Sequence, residues 1–189
     1  MEKNIIIVGV GGQGTLLASR ILGAAATIKG YDVKVSEVHG MAQRGGSVVT
    51  YVKYGEKVHS PIVAQGTADI ILAFEMLEGL RYLPYLKKDG VLIVNSQTID
   101  PMPVITGAME YPADIIEKIK AKNIKVICVN ALEKALEAGS SKAVNVALIG
   151  SLAATSPIEK EVFVEAIERT VPEKFLELNK KAFELGYAK

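Results

Sequence analysis

The chain contains no tryptophan, only one cysteine and two histidines in 189 residues, and each shortage excludes a class of protein. With Cys128 as its single thiol, the chain can form neither an internal disulfide nor a cysteine-ligated cluster. The two histidines, His39 and His59, do not have the spacing of the zinc-binding helix motifs, so we expect no metal site. Aromatic residues make up 6% and the net charge is +1, which disfavours a nucleic-acid surface.

Long apolar runs are also missing. None approaches the roughly 20 residues that a membrane-spanning helix needs. The first residues, "MEKNIIIVG", lead directly into a strand pattern and lack the features of a signal peptide. We therefore expect a cytoplasmic protein that makes no membrane contact. The length, with 49% hydrophobic residues, fits a single domain that spans residues 1–189 and buries a sizeable core.

What the chain does contain is an alternation of strand and helix patterns. Short apolar runs predict strands at 4–8, 68–75, 90–97 and 124–130, and the first two of these are expected to be buried. The first helix is predicted from apolar residues at helical spacing: Leu17, Ile21, Ala24 and Ile28. This order predicts an α/β fold, a doubly wound, Rossmann-like and mostly parallel sheet with helices on both faces.

Four further local features are predicted. A short hairpin is predicted around Gly55 and Glu56, and a helix is predicted to begin with Ser156 as its N-cap. Cys128 is expected to be a small buried apolar residue. The last helix is expected to present one apolar face: Phe175, Leu178, Ala182 and Leu185.

The first candidate site is the turn "GVGGQG" between the first strand and the first helix. Gly9, Gly11 and Gly14 follow the G-x-G-x-x-G pattern. In this pattern the first glycine permits a tight turn, the second permits close approach of a phosphate, and the third permits close helix–strand packing. Free N–H groups at the start of the helix favour an anion. The alternative interpretation is that the glycines serve packing alone.

Glu37 lies at about the distance from Gly14 at which dinucleotide-binding proteins place an acid for the ribose hydroxyls. Two features argue against a nicotinamide or flavin dinucleotide. Gln13 is bulky and polar beside the turn, and Glu37 opens a polar loop instead of standing alone at a strand end. A site for another phosphate-bearing or acidic group is the favoured interpretation.

The second candidate site is that polar loop, "SEVHGMAQRGGS", residues 36–47. His39 is a candidate general base. Arg44, followed by Gly45 and Gly46, is a candidate anion clamp, because an arginine fork and glycine N–H groups both bind phosphate or carboxylate. The alternative is that Glu37, His39 and Arg44 pair with each other and only hold the loop in shape.

Two further polar residues follow predicted strands. Glu75 and Asn95 stand at the carboxyl ends of strands, where ligands bind in doubly wound folds, so they are candidates for the same crevice as Gly11. Capping of nearby helices or loops explains them equally well. Asn145, at the start of a later helix, is open to the same two interpretations. No serine or cysteine occupies a recognisable nucleophile elbow, so no catalytic residue is assigned.

Four segments together resemble a known family: "VGVGGQGTLLASRILG", "VSEVHGMAQRGGSVVTYVKYGE", "ADIILAFEMLEGLRYLPYLKKDGVLIVN" and "KAVNVALIGSLA". They are similar to the gamma-type domain of 2-oxoacid:ferredoxin oxidoreductases, and most of all to the beta subunits of the indolepyruvate-specific enzymes. The likeness covers almost the whole chain. The pairing of the glycine turn with the polar loop is its most specific feature.

The resemblance implies a two-subunit enzyme that oxidatively decarboxylates aryl pyruvates to aryl-acetyl-CoA and reduces ferredoxin. It places thiamine diphosphate, magnesium and the [4Fe-4S] clusters in the larger alpha subunit, so this chain alone is expected to bind no cofactor. Coenzyme A and the 2-oxo acid are substrates, and ferredoxin is a partner through the complex. Isolated, the chain is expected to be able to form a homodimer, since a surface built for a partner is often apolar.

On this basis the turn and the loop are expected to shape the substrate or coenzyme A pocket and to dock on the alpha subunit. The candidate residues are Gly9, Gly11, Gly12, Gln13, Gly14, Glu37, His39, Arg44, Gly45, Gly46 and Ser47. The alternatives are a gamma subunit of a pyruvate or 2-oxoglutarate enzyme, and a stand-alone NAD-dependent dehydrogenase.

Overall fold

The computed structural model describes residues 2–39 and 46–188, with the backbone but not the side chain of His39. The described residues form one sheet of six strands. In chain order these are β1 (Lys3–Val10), β2 (Asp32–His39), β3 (Ser47–Gly55), β4 (Ala68–Ala73), β5 (Leu86–Asn95) and β6 (Lys125–Val129).

The helices of the described residues follow the strands. They are α1 (Thr15–Ile28), α2 (Met76–Tyr82), α3 (Met102–Ile105), α4 (Ile115–Lys120), α5 (Ala131–Ala138), α6 (Val144–Ala153), α7 (Lys160–Thr170) and α8 (Leu176–Tyr187). Among these helices none is long and apolar enough to cross a bilayer.

The strand order is β2-β3-β1-β4-β5-β6. Strands β1, β4, β5 and β6 run parallel to one another, which confirms the predicted doubly wound, mostly parallel sheet. Strand β3 is the exception, because it runs antiparallel between β2 and β1. Its first residue, Ser47, pairs with Val10 at the end of β1, and Val48 pairs with His39 at the end of β2. The polar loop therefore begins and ends at the edge of the sheet that carries the glycine turn.

Helices cover both faces of the sheet, and side chains alternate between the two cores along each strand. On one face, Ile5 and Ile7 of β1 pack with α1 and the helices α5 to α8. On the other face, Ile6 and Val8 pack with α2 and α4. Because the central strands are buried on both faces, they contain the continuous β-branched runs that the sequence shows.

Helices α6 and α8 cross in unusually close contact. A Cβ added to Gly186 would lie 1.9 Å from the carbonyl oxygen of Ala147, and one added to Gly150 would lie 2.2 Å from that of Phe183. Ser151 donates a hydrogen bond of 2.9 Å to the Gly186 carbonyl at the same crossing. The backbones of the two helices touch, so glycine is required on both sides.

The predicted apolar face of the last helix is confirmed only in part. Ala182 is buried and Leu178 packs against the core. Phe175, however, lies before α8 and is exposed, and the other buried positions of α8 are Asn179, Phe183 and Gly186. The sequence pattern failed because a glycine and an asparagine occupy half of the buried face. Asn179 donates a hydrogen bond of 2.8 Å to the Phe175 carbonyl.

Three other local predictions are corrected. Residues 56–67 form no strand, because β3 already pairs on both of its edges and has no edge left for a hairpin. Ser156 is not the N-cap of α7, because the N-cap is Glu159. The hydroxyl of Ser156 instead accepts a hydrogen bond from the N–H of Ile158 in a turn. Cys128 is exposed, because β6 lies at the edge of the sheet.

Candidate functional site

The glycine turn connects the end of β1 to the start of α1. Gly12 and Gly14 have φ values of +102° and +84°, which L side chains rarely adopt, so these two residues provide the tight turn. Gly9 lies inside β1, where an added Cβ would be 3.0 Å from the Cβ of Phe74 and 2.8 Å from the side-chain oxygen of Gln13. Close packing was expected only at Gly14, the third glycine of the pattern, but Gly9, the first glycine, has this role as well.

Gln13 turns its side chain back onto the protein. Its Oε1 accepts a hydrogen bond of 2.7 Å from the N–H of Val10, and its Nε2 donates to the carbonyl of Phe74 at 3.1 Å. A bulky residue is thus accommodated in the turn because it links β1 to the end of β4. The amide group thereby holds the turn in place.

The carbonyl of Phe74 also connects the glycine turn to residues at the end of β5. Asn95, which is buried at the end of β5, also donates to the Phe74 carbonyl, at 3.1 Å. Its Oδ1 accepts from the N–H of Ala131 at the start of α5. Gln97 lies beside both amides, 3.2 Å from Gln13 and 3.4 Å from Asn95. Asn95 therefore joins the ends of β4 and β5 to the first N–H of α5, which supports the capping interpretation. Gln97, which the sequence pattern did not single out, completes the network.

The described end of the polar loop lies directly on the glycine turn. The N–H of Gly11 donates a hydrogen bond of 2.8 Å to the carbonyl of Gly46. The next residue, Ser47, donates its hydroxyl proton to the buried carboxylate of Glu78 at 2.5 Å. Arg81 donates to the other oxygen of that carboxylate. Arg44, Gly45 and the side chain of His39 lie outside the described residues, so their predicted roles stay predictions.

Glu78 is a residue that the sequence analysis missed. It anchors Ser47, and its carboxylate also affects Tyr82 nearby: burial first, and then this negative charge, raise the pKa of Tyr82 above its ordinary value. A hydrogen bond with Ser47 acts in the opposite direction. The chain places Glu78 in the first turn of α2, and only the return of β3 to this edge brings it against Ser47.

A shallow pocket of about 260 Å³ opens at the turn. Its walls are Gly11, Gly12, Gly14, Thr15, Leu16, Glu37 and Val48. The structure therefore brings Glu37 of β2 to the glycine turn, as its spacing in the sequence predicts. Backbone at the start of a helix faces a carboxylate across this pocket. Such a pocket suits a ligand that carries both an anionic group and hydroxyl groups.

The amino ends of α1 and α2 both follow the carboxyl ends of parallel strands, β1 and β4, but differ in how their N–H groups are satisfied. In α2 the first three N–H groups donate to the Gln97 carbonyl, the Tyr111 hydroxyl and the Glu75 carboxylate. In α1 the N-cap is Gly14, with no side-chain cap and no acidic residue in the first turn. The end of α1 is therefore the better site for an external anion.

Glu75 is the N-cap of α2 and is 1% exposed. Its carboxylate accepts hydrogen bonds from the N–H groups of Glu78 and Ile99 and from the hydroxyl of Tyr111. Burial, and then this bond to the Glu75 carboxylate, raise the pKa of Tyr111 well above its ordinary value. Of the two interpretations open for Glu75, capping is confirmed. The residue ties the segment after β5 to the start of α2.

Asn145 of α6 also contacts the turn. Its Nδ2 lies 3.4 Å from the Gly14 carbonyl, and a Cβ on Gly14 would approach the same nitrogen to 2.5 Å. Asn145 is buried and its Oδ1 accepts from the N–H of Val146. Asn145 therefore packs against the turn and fixes where α1 begins relative to α6.

A larger cavity, of about 610 Å³, lies elsewhere, beside β6 and the carboxyl end of α8. It contains no residue of the glycine turn or of the polar loop, and its volume alone does not indicate chemistry. Within residues 2–39 and 46–188, no group of three or more His, Cys, Asp or Glu side chains could hold a metal ion.

Comparison with known proteins extends over nearly the whole chain. The family model described as Pyruvate ferredoxin/flavodoxin oxidoreductase matches residues 4–189. The chain is 46% identical over 190 residues to the indolepyruvate oxidoreductase subunit IorB of Thermococcus kodakarensis, with 98% of this chain and 94% of that protein covered. It is 30% identical to the pyruvate/ketoisovalerate oxidoreductases common subunit gamma of Pyrococcus abyssi, with 96% and 93% covered.

A solved structure is similar as well. The gamma subunit of a keto/oxoacid ferredoxin oxidoreductase from Geobacter sulfurreducens superposes with a TM-score of 0.73 at 28% identity. The match covers 98% of this chain and 96% of that one. The arrangement of strands and helices described above is therefore shared with that subunit.

Proposed function

Because this chain belongs to the pyruvate ferredoxin/flavodoxin oxidoreductase family, we propose that it is the beta subunit of an indolepyruvate:ferredoxin oxidoreductase. The enzyme would convert aryl pyruvates and coenzyme A to aryl-acetyl-CoA and carbon dioxide, with transfer of electrons to ferredoxin. The observation that supports this substrate class is the higher identity to an indolepyruvate subunit, 46%, than to a pyruvate/ketoisovalerate subunit, 30%.

The cofactors of such an enzyme would have to come from another subunit. A [4Fe-4S] cluster needs four ligands, usually cysteine thiolates, and this chain has one cysteine, exposed on β6. The described residues also contain no cluster of acidic or histidine side chains for the magnesium of thiamine diphosphate. The residues present do not fit these groups, so we place them in the alpha subunit.

The role proposed for this chain is to complete the coenzyme A or 2-oxo acid pocket. The open amino end of α1 and the glycine backbone would hold an anionic group of the ligand, and Arg44 would supply a positive charge from the polar loop. Glu37, at the wall of the same pocket, would accept a hydrogen bond from a ligand hydroxyl. His39 would orient the loop.

The test is the purified complex of this chain with its alpha subunit. We expect ferredoxin reduction that requires both coenzyme A and indolepyruvate, with a lower kcat/KM for pyruvate and 2-oxoglutarate. Activity with pyruvate or 2-oxoglutarate above that with indolepyruvate would assign the chain to another enzyme of the family. Calorimetric titration of the chain with NAD addresses the dehydrogenase alternative, and we expect no binding.

A further inference from the structure

The most exposed large apolar side chains of the described residues lie together in one short segment after β5. Met102, Ile105 and Met109 are 66%, 65% and 65% exposed. They belong to residues 100–110, which we call the apolar knob. Apolar patches of this kind on soluble proteins mark interaction sites, and methionine adapts its shape to a partner surface.

The knob is held in one conformation by its own backbone. Helix α3 forms its first half, and the Met109 N–H donates to the carbonyl of Pro103 at 3.0 Å, which closes the segment. Thr106 donates its hydroxyl to the Met102 carbonyl at 3.0 Å, at the end of the helix. An ordered apolar surface loses little conformational entropy when it binds a partner.

Both ends of the knob are attached to a buried carboxylate. The N–H of Ile99 and the hydroxyl of Tyr111 both donate to Glu75, one from each side of the knob. Glu75 is itself held as the N-cap of α2, where its carboxylate accepts from the Glu78 N–H. The knob is thus tied to the carboxyl edge of the sheet, the edge that carries the glycine turn.

The charged side chains of the knob itself have one sign. Residues 96–112 contain two acidic residues, Asp100 and Glu110, and no lysine, arginine or histidine, and both acids are exposed. In the part of the chain that the structure describes, neither of the two forms an ion pair. The next cation along the chain is Lys118, whose ammonium group donates to the Ala113 carbonyl at 2.8 Å. The apolar surface therefore has an acidic rim without partners of its own.

From this combination we propose that the knob docks on the thiamine diphosphate-binding subunit, in an apolar cleft of that subunit that is bordered by lysine or arginine. The proposal rests on the proposed function for the existence of that subunit, but assigns the contact to a surface outside the glycine turn and the polar loop. Complementary charge would steer the two subunits together, and the apolar contact would hold them.

A second copy of this chain is a poorer occupant. In a two-fold symmetric dimer the same surface meets itself. The acidic rims would then face each other, and the like charges would repel. The acidic rim therefore argues for a partner of the opposite charge.

The test compares Ile105→Asp with Leu136→Asp in the co-expressed complex. Leu136 is a matched control, since it is 58% exposed on α5, away from the knob. Dilution of each complex is followed by mass photometry. We expect the I105D complex to dissociate at a concentration at least about tenfold higher than the wild type, and L136D to match the wild type. In a second variant, Asp100→Asn with Glu110→Gln, the salt dependence of dissociation should become weaker.

Circular dichroism of the I105D chain must match that of the wild type, which shows that weaker assembly is not a folding defect. Each of the following outcomes then contradicts the proposal. If I105D assembles like the wild type, docking through the knob is wrong, while wild-type ferredoxin reduction in the same preparation still supports the proposed function. If the wild-type chain forms no complex with the alpha subunit, both the docking proposal and the proposed function are wrong. If the isolated chain dimerises and I105D abolishes the dimer, the knob binds a second copy.

Discussion

The N–H of Gly11 and the carbonyl of Gly46 form a 2.8 Å hydrogen bond between two segments that are 35 residues apart in the chain. This bond places the end of the polar loop on the turn that begins α1. Anion-binding backbone at the start of a helix and a loop that contains an arginine thereby share one edge of the sheet. The predictions below test this arrangement and the packing that supports it.

Arg44→Ala should weaken the binding of the anionic substrate while the chain stays folded. Loss of a charge-assisted hydrogen bond costs about 1.5–3 kcal/mol, so we expect KM for coenzyme A or for the 2-oxo acid to rise about ten- to a hundredfold. Steady-state kinetics of the assembled enzyme measure this. Arg169→Ala is the control, because Arg169 forms only an exposed pair with Glu165. Unchanged kinetics in the Arg44 variant would contradict the anion-clamp role.

Gly12→Ala and Gly14→Ala separate backbone strain from steric conflict. Both residues have positive φ, so an alanine costs about 1–2 kcal/mol at either position. At Gly14 the new methyl group would also meet Nδ2 of Asn145 at 2.5 Å, whereas at Gly12 no atom of residues 2–39 or 46–188 lies within 4 Å. We expect the larger loss of unfolding free energy for Gly14→Ala, measured by urea denaturation.

The double variant with Asn145→Ala checks the reason for that difference. Removal of the Asn145 amide frees the space next to Gly14, so the two substitutions together should cost less than the sum of their separate effects. Additive losses would show that strain alone, and not contact with α6, explains the requirement for glycine at position 14.

Gly186→Ala and Gly23→Ala should change stability in opposite directions. Both glycines lie in helices, where alanine is intrinsically favoured by about 0.5–1 kcal/mol. At Gly23 the nearest atom to an added Cβ is 3.8 Å away, so stability should rise slightly. At Gly186 the methyl group would overlap the Ala147 carbonyl, and we expect a loss of about 3 kcal/mol or more as α6 and α8 separate. Thermal denaturation gives both values, and similar Tm values for the two variants would contradict the close crossing.

Tyr111→Phe should destabilise the chain at neutral pH by about 1–3 kcal/mol, because the buried Glu75 carboxylate loses a donor. The raised pKa of Tyr111 fixes how this effect depends on pH. The neutral phenol is favoured in the folded state, so its contribution is complete below about pH 10 and is lost as the pH rises further. The difference between wild type and variant should therefore be constant up to about pH 10 and shrink above it.

Tyr187→Phe serves as the control for that measurement. The ring of Tyr187 faces the ammonium group of Lys160 at 5.2 Å, and phenylalanine keeps this contact. Urea unfolding at pH 7, 9 and 10.5 should show little change in this variant. A difference for Tyr111→Phe that grows with pH would contradict the hydrogen bond from the neutral Tyr111 phenol to the Glu75 carboxylate.

Local sequence patterns predicted the structure correctly where it depends on residues that are contiguous in the chain. Apolar runs predicted β1, β4, β5 and β6, and the expected burial is seen in β1 and β4, since a strand covered on both faces has no polar side. The glycine pattern predicted the turn before α1 because only glycine adopts the φ of residues 12 and 14 easily. The spacing of Glu37 predicted its position at that turn, and the pocket confirms it.

Patterns failed where a partner distant in the chain decides the outcome. The buried face of α8 was predicted only in part because the backbone of α6 requires glycine at position 186, which helical periodicity does not reveal. Glu78 was missed because its contact with Ser47 exists only after β3 has entered the sheet. The predicted hairpin was wrong for the same reason, since both edges of β3 are already paired.

The sequence by itself determined the elements, their alternation and the family, because these depend on periodicity, on glycine at positive φ and on motifs that are contiguous in the chain. Only the tertiary structure decided that the polar loop ends on the glycine turn, that Glu75 ties both ends of the apolar knob, and that β3 runs against its neighbours. Those relationships join residues far apart in the chain, and they arise from sheet pairing and buried hydrogen bonds that form only when the whole sheet is assembled.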